Sequence, residues 1–185
     1  PMVKLLMFST SESRFLFAPA SLSEKIVFGA QRPGYPSKLV EQDRVKKWIS
    51  FMKEHGIMRI CCLLSEKQLE YYETNLLDGY SAHFRMANVL WSPIEDYHLC
   101  DARTLKERIL PFLKEAEINK KPVVVHCSGG IGRTGHVLAA WLVHSHGYSS
   151  DEALTSVSEM GRDPFEAVAS GNASAAELYK LLQVV

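Results

Sequence analysis

The sequence has no excess of charge of either sign, because 21 Lys and Arg residues balance 21 Asp and Glu residues. A chain without net charge has no long-range field to attract nucleic acid or an anionic membrane, so we expect neither as a partner. No apolar run approaches the roughly 20 residues that cross a bilayer. The apolar stretch at the start is too short for a secretory signal. We therefore expect a cytoplasmic protein without a membrane span.

Cysteine is also scarce, and the sequence has four: Cys61, Cys62, Cys100 and Cys127. In a cytosolic chain of this size, thiols are buried or chemically active before they form disulfides. Their spacing relative to histidine matches no zinc site, so we expect no metal and no other cofactor. Each cysteine must be judged by its neighbours.

Apolar residues make up 46% of the 185 positions, which is enough for one sizeable core. No linker, repeat or low-complexity tract divides the chain, and we predict a single domain over residues 1–185. Periodicity predicts strands and helices in alternation. The strands are expected at 13–18, 25–29, 57–64, 86–91 and 123–127. The helices are expected at 40–55, 65–77, 102–118 with a kink at Pro111, 133–146, from 149 onward, and 175–182. This order predicts an α/β fold with a central, mostly parallel sheet flanked by helices.

The most informative segment, residues 126–135, has the sequence HCSGGIGRTG and joins the last strand to an apolar helix. Three glycines within four positions let backbone N–H groups converge at the helix N-terminus, which is an anion-binding arrangement. The positive end of the helix favours the thiolate form of Cys127. The guanidinium of Arg133 has the geometry to hold two phosphate oxygens. The segment is not a Walker loop, because Arg133-Thr134 stands where that loop needs Lys followed by Ser or Thr.

His126-Cys127, five intervening residues and Arg133-Thr134 together resemble the signature of the cysteine-dependent protein tyrosine and dual-specificity phosphatases. The resemblance implies phosphoryl transfer in two steps through a cysteinyl-phosphate, with Cys127 as the nucleophile. It implies that Thr134 hydrogen-bonds the sulfur and that His126 orders the loop. It also implies that phosphate and other oxyanions bind to the Arg133 side chain and to the loop amides of Ser128, Gly129, Gly130, Ile131, Gly132 and Arg133.

The leaving group needs a proton, so a carboxylic acid is expected on a loop near the phosphate. The best candidate is Asp96, because Pro93-Ile94-Glu95-Asp96 is similar to the Pro-Ile-x pattern that precedes the acid in the family. Glu95 is adjacent but is expected to point elsewhere. Asp101 is the better candidate for the N-cap of the helix at 102–118.

The chain is shorter than the tyrosine-specific members of this family and has no segment like their Lys-Asn-Arg-Tyr loop. The resemblance therefore favours a compact dual-specificity architecture with a shallower cleft. Phosphoproteins are the expected substrates, with phosphotyrosine first and phosphoserine or phosphothreonine also admitted. Residues 128–132 include no lysine, which disfavours phosphoinositides and the 5′-triphosphate end of RNA.

Several alternatives stay open at this point. A catalytically silent phospho-binding module would use the same loop, although such a module would normally have lost Cys127, Arg133 or the acid. A phosphatase for a non-protein phosphomonoester and a rhodanese-type sulfurtransferase are the others. The residue that positions the hydrolytic water is also open, with Asn172, Glu177 and residues 162–164 as candidates.

Overall fold

The computed structural model describes residues 14–183, and in that range the chain forms one sheet of five short strands. The strands are β1 (Ala18–Pro19), β2 (Val27–Ala30), β3 (Arg59–Cys62), β4 (Val89–Trp91) and β5 (Val123–His126). Their order across the sheet is β1-β2-β5-β3-β4. The β1–β2 pair is antiparallel, and the other pairs are parallel. The predicted α/β fold with a mostly parallel sheet is confirmed.

The helices occupy both sides of this sheet. They are α1 (Gln42–Glu54), α2 (Glu66–Leu69), α3 (Leu76–Phe84), α4 (Ala102–Thr104), α5 (Leu110–Ile118), α6 (Gly132–His146), α7 (Ser150–Glu159), α8 (Glu166–Ala169) and α9 (Ala175–Gln183). Short 3-10 turns cover Arg14–Leu16 and Met86–Asn88. Within residues 14–183, no helix is long and apolar enough to cross a membrane.

Two apolar cores form because successive side chains of a strand point to opposite faces. In β3, Cys61 lies in the core built with α5, α6, α7 and α9, whereas Cys62 lies in the core built with α1 and α3. In β5, Val125 and Val124 divide in the same way. Both faces of the central strands are therefore buried, which explains their almost continuous apolar sequence.

The helix predicted at 65–77 is in fact two helices with a break between them. Val40 interrupts the helix from outside, because its N–H donates to the carbonyl of Tyr71 and its carbonyl accepts from the N–H of Glu73. Asn75 then starts α3, where its side chain accepts from the N–H of Asp78 at 3.0 Å. The apolar periodicity continues through the break, so it could not reveal a tertiary contact.

Three other predictions needed correction. In the strand predicted at 86–91, Met86–Asn88 form a 3-10 turn and only Val89–Trp91 pair as β4. Of the strand predicted at 13–18, only Ala18 is in β1, because Phe15 and Leu16 have φ values of 60° and 50°, which no strand allows; Ser13 lies outside the described residues. The kink expected at Pro111 is a π-helical turn over Leu105–Ile109, directly before α5. Proline cannot donate the usual hydrogen bond, and the wider turn accommodates its ring.

Candidate active site

The loop of residues 127–133 lies between the central strand β5 and the first turn of α6. Gly130 has a φ of +72°, and a Cβ at this position would lie 2.6 Å from the carbonyl oxygen of Ala30 in β2. A residue with a side chain would force the loop away from the sheet. Only glycine allows this close approach, so the turn predicted from the three glycines depends above all on Gly130.

Cys127 lies at the base of this loop and is 2% exposed. The Thr134 hydroxyl, on the first turn of α6, donates to its sulfur over 3.1 Å. A hydroxyl in this position stabilises negative charge on the sulfur. The structure therefore brings together the thiol and the hydroxyl that the motif pairs.

Arg133 is 2% exposed and extends from α6 towards the loop that carries Asp96. Its Nη1 donates to Gln68 Oε1 at 2.8 Å and to the carbonyl oxygen of Ile94 at 2.9 Å. Its Nη2 forms an ion pair with Asp96 Oδ1 at 2.9 Å. The buried Nε has no hydrogen-bond partner among the described residues. A donor buried without a partner is costly unless a ligand satisfies it, so this Nε is available to a ligand.

Asp96 lies at the mouth of the site, with its side chain 42% exposed. The surrounding loop is attached at two further points: Asn172 Nδ2 donates to the Tyr97 carbonyl at 3.0 Å, and the Cys100 N–H donates to His136 Nε2 at 2.9 Å. Asp101, by contrast, caps α4 by accepting from the N–H of Thr104. Asp96, Glu95 and Asp101 are the residues considered as the proton donor. Of these three, Asp96 is the one that contacts Arg133.

His126 is fully buried behind the loop. Its Nδ1 donates to the Cys127 carbonyl at 3.0 Å, and Nε2 accepts from the Tyr80 hydroxyl, also at 3.0 Å. Burial lowers the pKa of His126 to about 4, so the ring is neutral at physiological pH. It therefore orients the backbone at Cys127 through hydrogen bonds rather than through charge.

Sequence reasoning did not predict that two arginines hold the loop from outside, and it considered residues 162–164 only for positioning the hydrolytic water. Arg32 donates from Nε to Ser128 Oγ at 2.9 Å, and its backbone N–H donates to the Ser128 carbonyl at 3.0 Å. Arg162 donates from Nη1 to the Gly130 carbonyl at 2.7 Å and from Nη2 to the Leu16 carbonyl at 2.8 Å. Burial lowers the pKa of Arg162 to about 10, which still leaves it charged at neutral pH. Their partners are three backbone carbonyls and one serine hydroxyl that lie far away in the sequence, and no local pattern marks them.

Three further side chains complete the surroundings of the loop. Tyr35 is 42% exposed, and its hydroxyl would lie 3.5 Å from a Cβ on Gly129. Glu166 covers Gly132, since its Cβ would lie 2.6 Å from a Cβ there. Burial and the nearby Asp96 and Asp163 raise the pKa of Glu166. Gln68, which forms the capping box of α2 with Ser65, contacts both Arg133 and Asp96.

The other cysteines lie in the cores, and burial raises the pKa of Cys62 and Cys100 to about 12 and that of Cys61 further. No group of three or more His, Cys, Asp or Glu side chains suited to a metal occurs within residues 14–183. Among the candidates for positioning water, Glu177 caps α9 through the Ser174 N–H.

A family model described as "Polymorphic toxin system, DSP-PTPase phosphatase" matches residues 36–147, which is more than half of the chain and includes Asp96 and the whole 127–133 loop. The chain belongs to this DSP-PTPase family. Dual specificity protein phosphatase OPG106 of vaccinia virus (strain Copenhagen) is 27% identical to it over 86 residues, which is 46% of this chain and 50% of the viral protein. Tyrosine-protein phosphatase cdc-14 of Caenorhabditis elegans is 35% identical over 60 residues, which is 32% of this chain and 8% of that protein. The DSP-PTPase chain thus spans half or less of the length of these relatives.

Solved structures show the same fold. The active form of Tk-PTP is 24% identical with a TM-score of 0.63, covering 86% of this DSP-PTPase and 90% of that chain. Kinase associated phosphatase is 24% identical with a TM-score of 0.62, covering 84% and 83%. PTPMT1 in complex with PI(5)P is 13% identical with a TM-score of 0.60, covering 91% and 95%.

Proposed function

We propose that this DSP-PTPase hydrolyses phosphomonoesters on proteins through a cysteinyl-phosphate intermediate. The observation that carries the proposal is the arrangement around Arg133. Its buried Nε is free for an oxyanion, and its Nη2 contacts the candidate acid Asp96. On the same helical turn, Thr134 donates to the sulfur of Cys127.

The first step transfers the phosphoryl group to the enzyme. The Cys127 thiolate attacks phosphorus, a sulfur–phosphorus bond forms, and the bond to the leaving oxygen breaks. Asp96 donates its proton to that oxygen, so the alcohol or phenol leaves neutral. Arg133 and the amides of residues 128–133 hold the equatorial oxygens, on which negative charge is spread in the transition state.

The second step releases phosphate and restores the enzyme. Water attacks phosphorus and gives a proton to the Asp96 carboxylate, while the sulfur–phosphorus bond breaks. The electron pair returns to Cys127 as thiolate, and the Thr134 hydroxyl stabilises it. Proton count and charge therefore return to the starting state with inorganic phosphate as the product.

The side chains around the loop favour a substrate with one phosphate group on an aromatic side chain. Tyr35 offers a half-exposed ring beside Gly129, against which a phosphotyrosine ring could stack. Glu166 places a carboxyl group rather than a cation at Gly132, and residues 128–132 provide no lysine, so additional phosphates on an inositol ring would find no cation there. PTPMT1 shares the fold and was solved with PI(5)P, which makes phosphoinositides the alternative substrate class to test.

The experiment compares hydrolysis of p-nitrophenyl phosphate by the wild type, Cys127→Ser and the thiol control Cys61→Ala. We expect Cys127→Ser to lose at least about 1,000-fold in kcat, while Cys61→Ala, in the core, remains active. In Asp96→Asn we expect the alkaline limb of the pH profile to disappear. Wild-type activity in Cys127→Ser would contradict the cysteinyl-phosphate mechanism. Initial rates on phosphotyrosyl, phosphothreonyl and phosphoinositide substrates then decide the substrate class.

A further inference from the structure

Gln68 joins the arginine of the site to its acid. Its Oε1 accepts from Arg133 Nη1 at 2.8 Å, and its Nε2 donates to Asp96 Oδ2 at 3.2 Å. Gln68 is 5% exposed, so its bond to Arg133 is shielded from water, whereas its bond to the partly exposed Asp96 is shielded only on the Gln68 side. The direct Arg133–Asp96 ion pair closes a ring of three side chains.

Chemistry fixes the orientation of the Gln68 amide. The Ser65 N–H and Arg133 are both donors, and Oε1 lies 3.2 Å and 2.8 Å from their nitrogens. The oxygen must therefore face these two groups, and the NH₂ group faces the carboxyl group of Asp96. Rotating the amide by half a turn would oppose donor to donor at Arg133.

The capping box does not by itself explain why residue 68 is glutamine. The third residue of such a box is Glu or Gln, and the box of α7 uses Glu152. A glutamate at position 68 would retain the bonds to Ser65 and Arg133, but it would place a second carboxylate against Asp96. The amide nitrogen of this side chain takes no part in the capping box of α2, but it donates to Asp96 Oδ2.

We propose that Gln68 is a positioning residue of the phosphatase site, which holds the carboxyl group of Asp96 beside Arg133 without adding a negative charge. The role rests on the function proposed above. Asp96 Oδ1 is already engaged by Arg133 and by the Tyr97 N–H at 3.1 Å. The proton destined for the leaving group therefore resides on Oδ2, where Gln68 occupies one lone pair and leaves the other free.

The test uses Gln68→Glu and Gln68→Leu, with Glu152→Gln in the other capping box as the matched control. We measure kcat and KM for p-nitrophenyl phosphate against pH, together with melting temperature. Gln68→Glu keeps its capping box and should melt close to the wild type, whereas the alkaline limb of its pH profile should move up by about one pH unit because like charges oppose ionisation. Gln68→Leu should lose about tenfold or more in kcat with a smaller change in KM. Glu152→Gln should leave the profile unchanged.

The possible outcomes separate this inference from the proposed function. An unshifted alkaline limb in Gln68→Glu, with kcat unchanged, overturns the role of Gln68 while an active wild type leaves the phosphatase function standing. An inactive wild type contradicts both. If Gln68→Leu does not fold, the pH profile of Gln68→Glu decides alone, because its capping box is intact.

Discussion

Gly130 shows how much of the loop depends on one residue. It combines a positive φ of +72° with a Cβ position 2.6 Å from the Ala30 carbonyl oxygen. Gly171 has a similar φ of +76°, but no atom lies within 4 Å of the position that a Cβ would take. A substitution there therefore introduces backbone strain without a steric clash. We expect Gly171→Ala to lower the free energy of unfolding by about 1 kcal/mol, and Gly130→Ala to lower it by at least about twice as much with loss of turnover.

Urea denaturation and p-nitrophenyl phosphate hydrolysis measure these two effects. Equal losses of stability in both variants would show that the contact with β2 costs nothing and that backbone conformation alone is decisive.

At the residue scale, the sequence predicted contacts between residues close together in the chain and did not predict contacts between distant ones. Cys127, Arg133 and Thr134 lie within one loop and helix turn, so their spacing alone indicated that they meet. Arg32 lies 96 positions before Ser128 and donates a hydrogen bond to its hydroxyl. Arg162 bonds the backbone of Leu16, 146 positions away. A backbone carbonyl or a single serine hydroxyl so distant in the sequence has no local signature, so these supports could not be predicted.

Among the elements, Glu24 attaches the segment before β2 to the C-terminal half of α6. Its Oε1 accepts from the N–H groups of Lys25 and Ile26, both at 2.8 Å, and its Oε2 accepts from Trp141 Nε1 and His146 Nε2, also at 2.8 Å. All of these neighbours are donors. A carboxylate can accept from every one, whereas an amide of the same shape must oppose its NH₂ group to some of them.

We therefore expect Glu24→Gln to lower the free energy of unfolding by about 2–4 kcal/mol, although it changes no volume. The control is Glu177→Gln in the exposed capping box of α9, where either residue accepts the Ser174 N–H and the loss should stay below about 0.5 kcal/mol. Denaturant titration followed by tryptophan fluorescence measures both. A Glu24→Gln loss no larger than that of the control would mean that these hydrogen bonds contribute no net stability.

Element types were predictable where local physics decides them. The buried strands around Cys61 and Val124 and the helix that follows the glycine loop came from apolar patterns and turn residues. The break between α2 and α3 came instead from Val40, which pairs with Tyr72 through the backbone. The strand order was likewise not readable, because parallel neighbours are joined through helices and their pairing depends on packing.

For the whole molecule, two buried histidines determine how stability depends on pH. Burial lowers the pKa of both His126 and His136 to about 4 from 6.5. Below pH 6.5 these residues take up protons in the unfolded chain but stay neutral in the folded protein until about pH 4. Stability is therefore fully present above pH 6.5 and is lost as the pH falls towards 4.

The expected loss is on the order of 3 kcal/mol for each histidine across that window. Urea denaturation at pH 7 and pH 5 measures the first part of this loss, about 2 kcal/mol for each histidine. We expect His136→Gln to remove part of the pH dependence and the exposed His83→Gln to leave it unchanged. If His136→Gln has the same pH dependence as the wild type, the acid sensitivity arises elsewhere.

The adjacent cysteines of β3 allow thiol modification to probe the two sides of the sheet separately. Cys61 faces one core and Cys62 the other, and burial keeps both thiols protonated. A thiol reagent can modify either residue only when the layer covering it opens. Chains that retain one of these two cysteines and lack Cys100 and Cys127 would therefore report the opening of one layer each, from positions that differ by a single peptide bond.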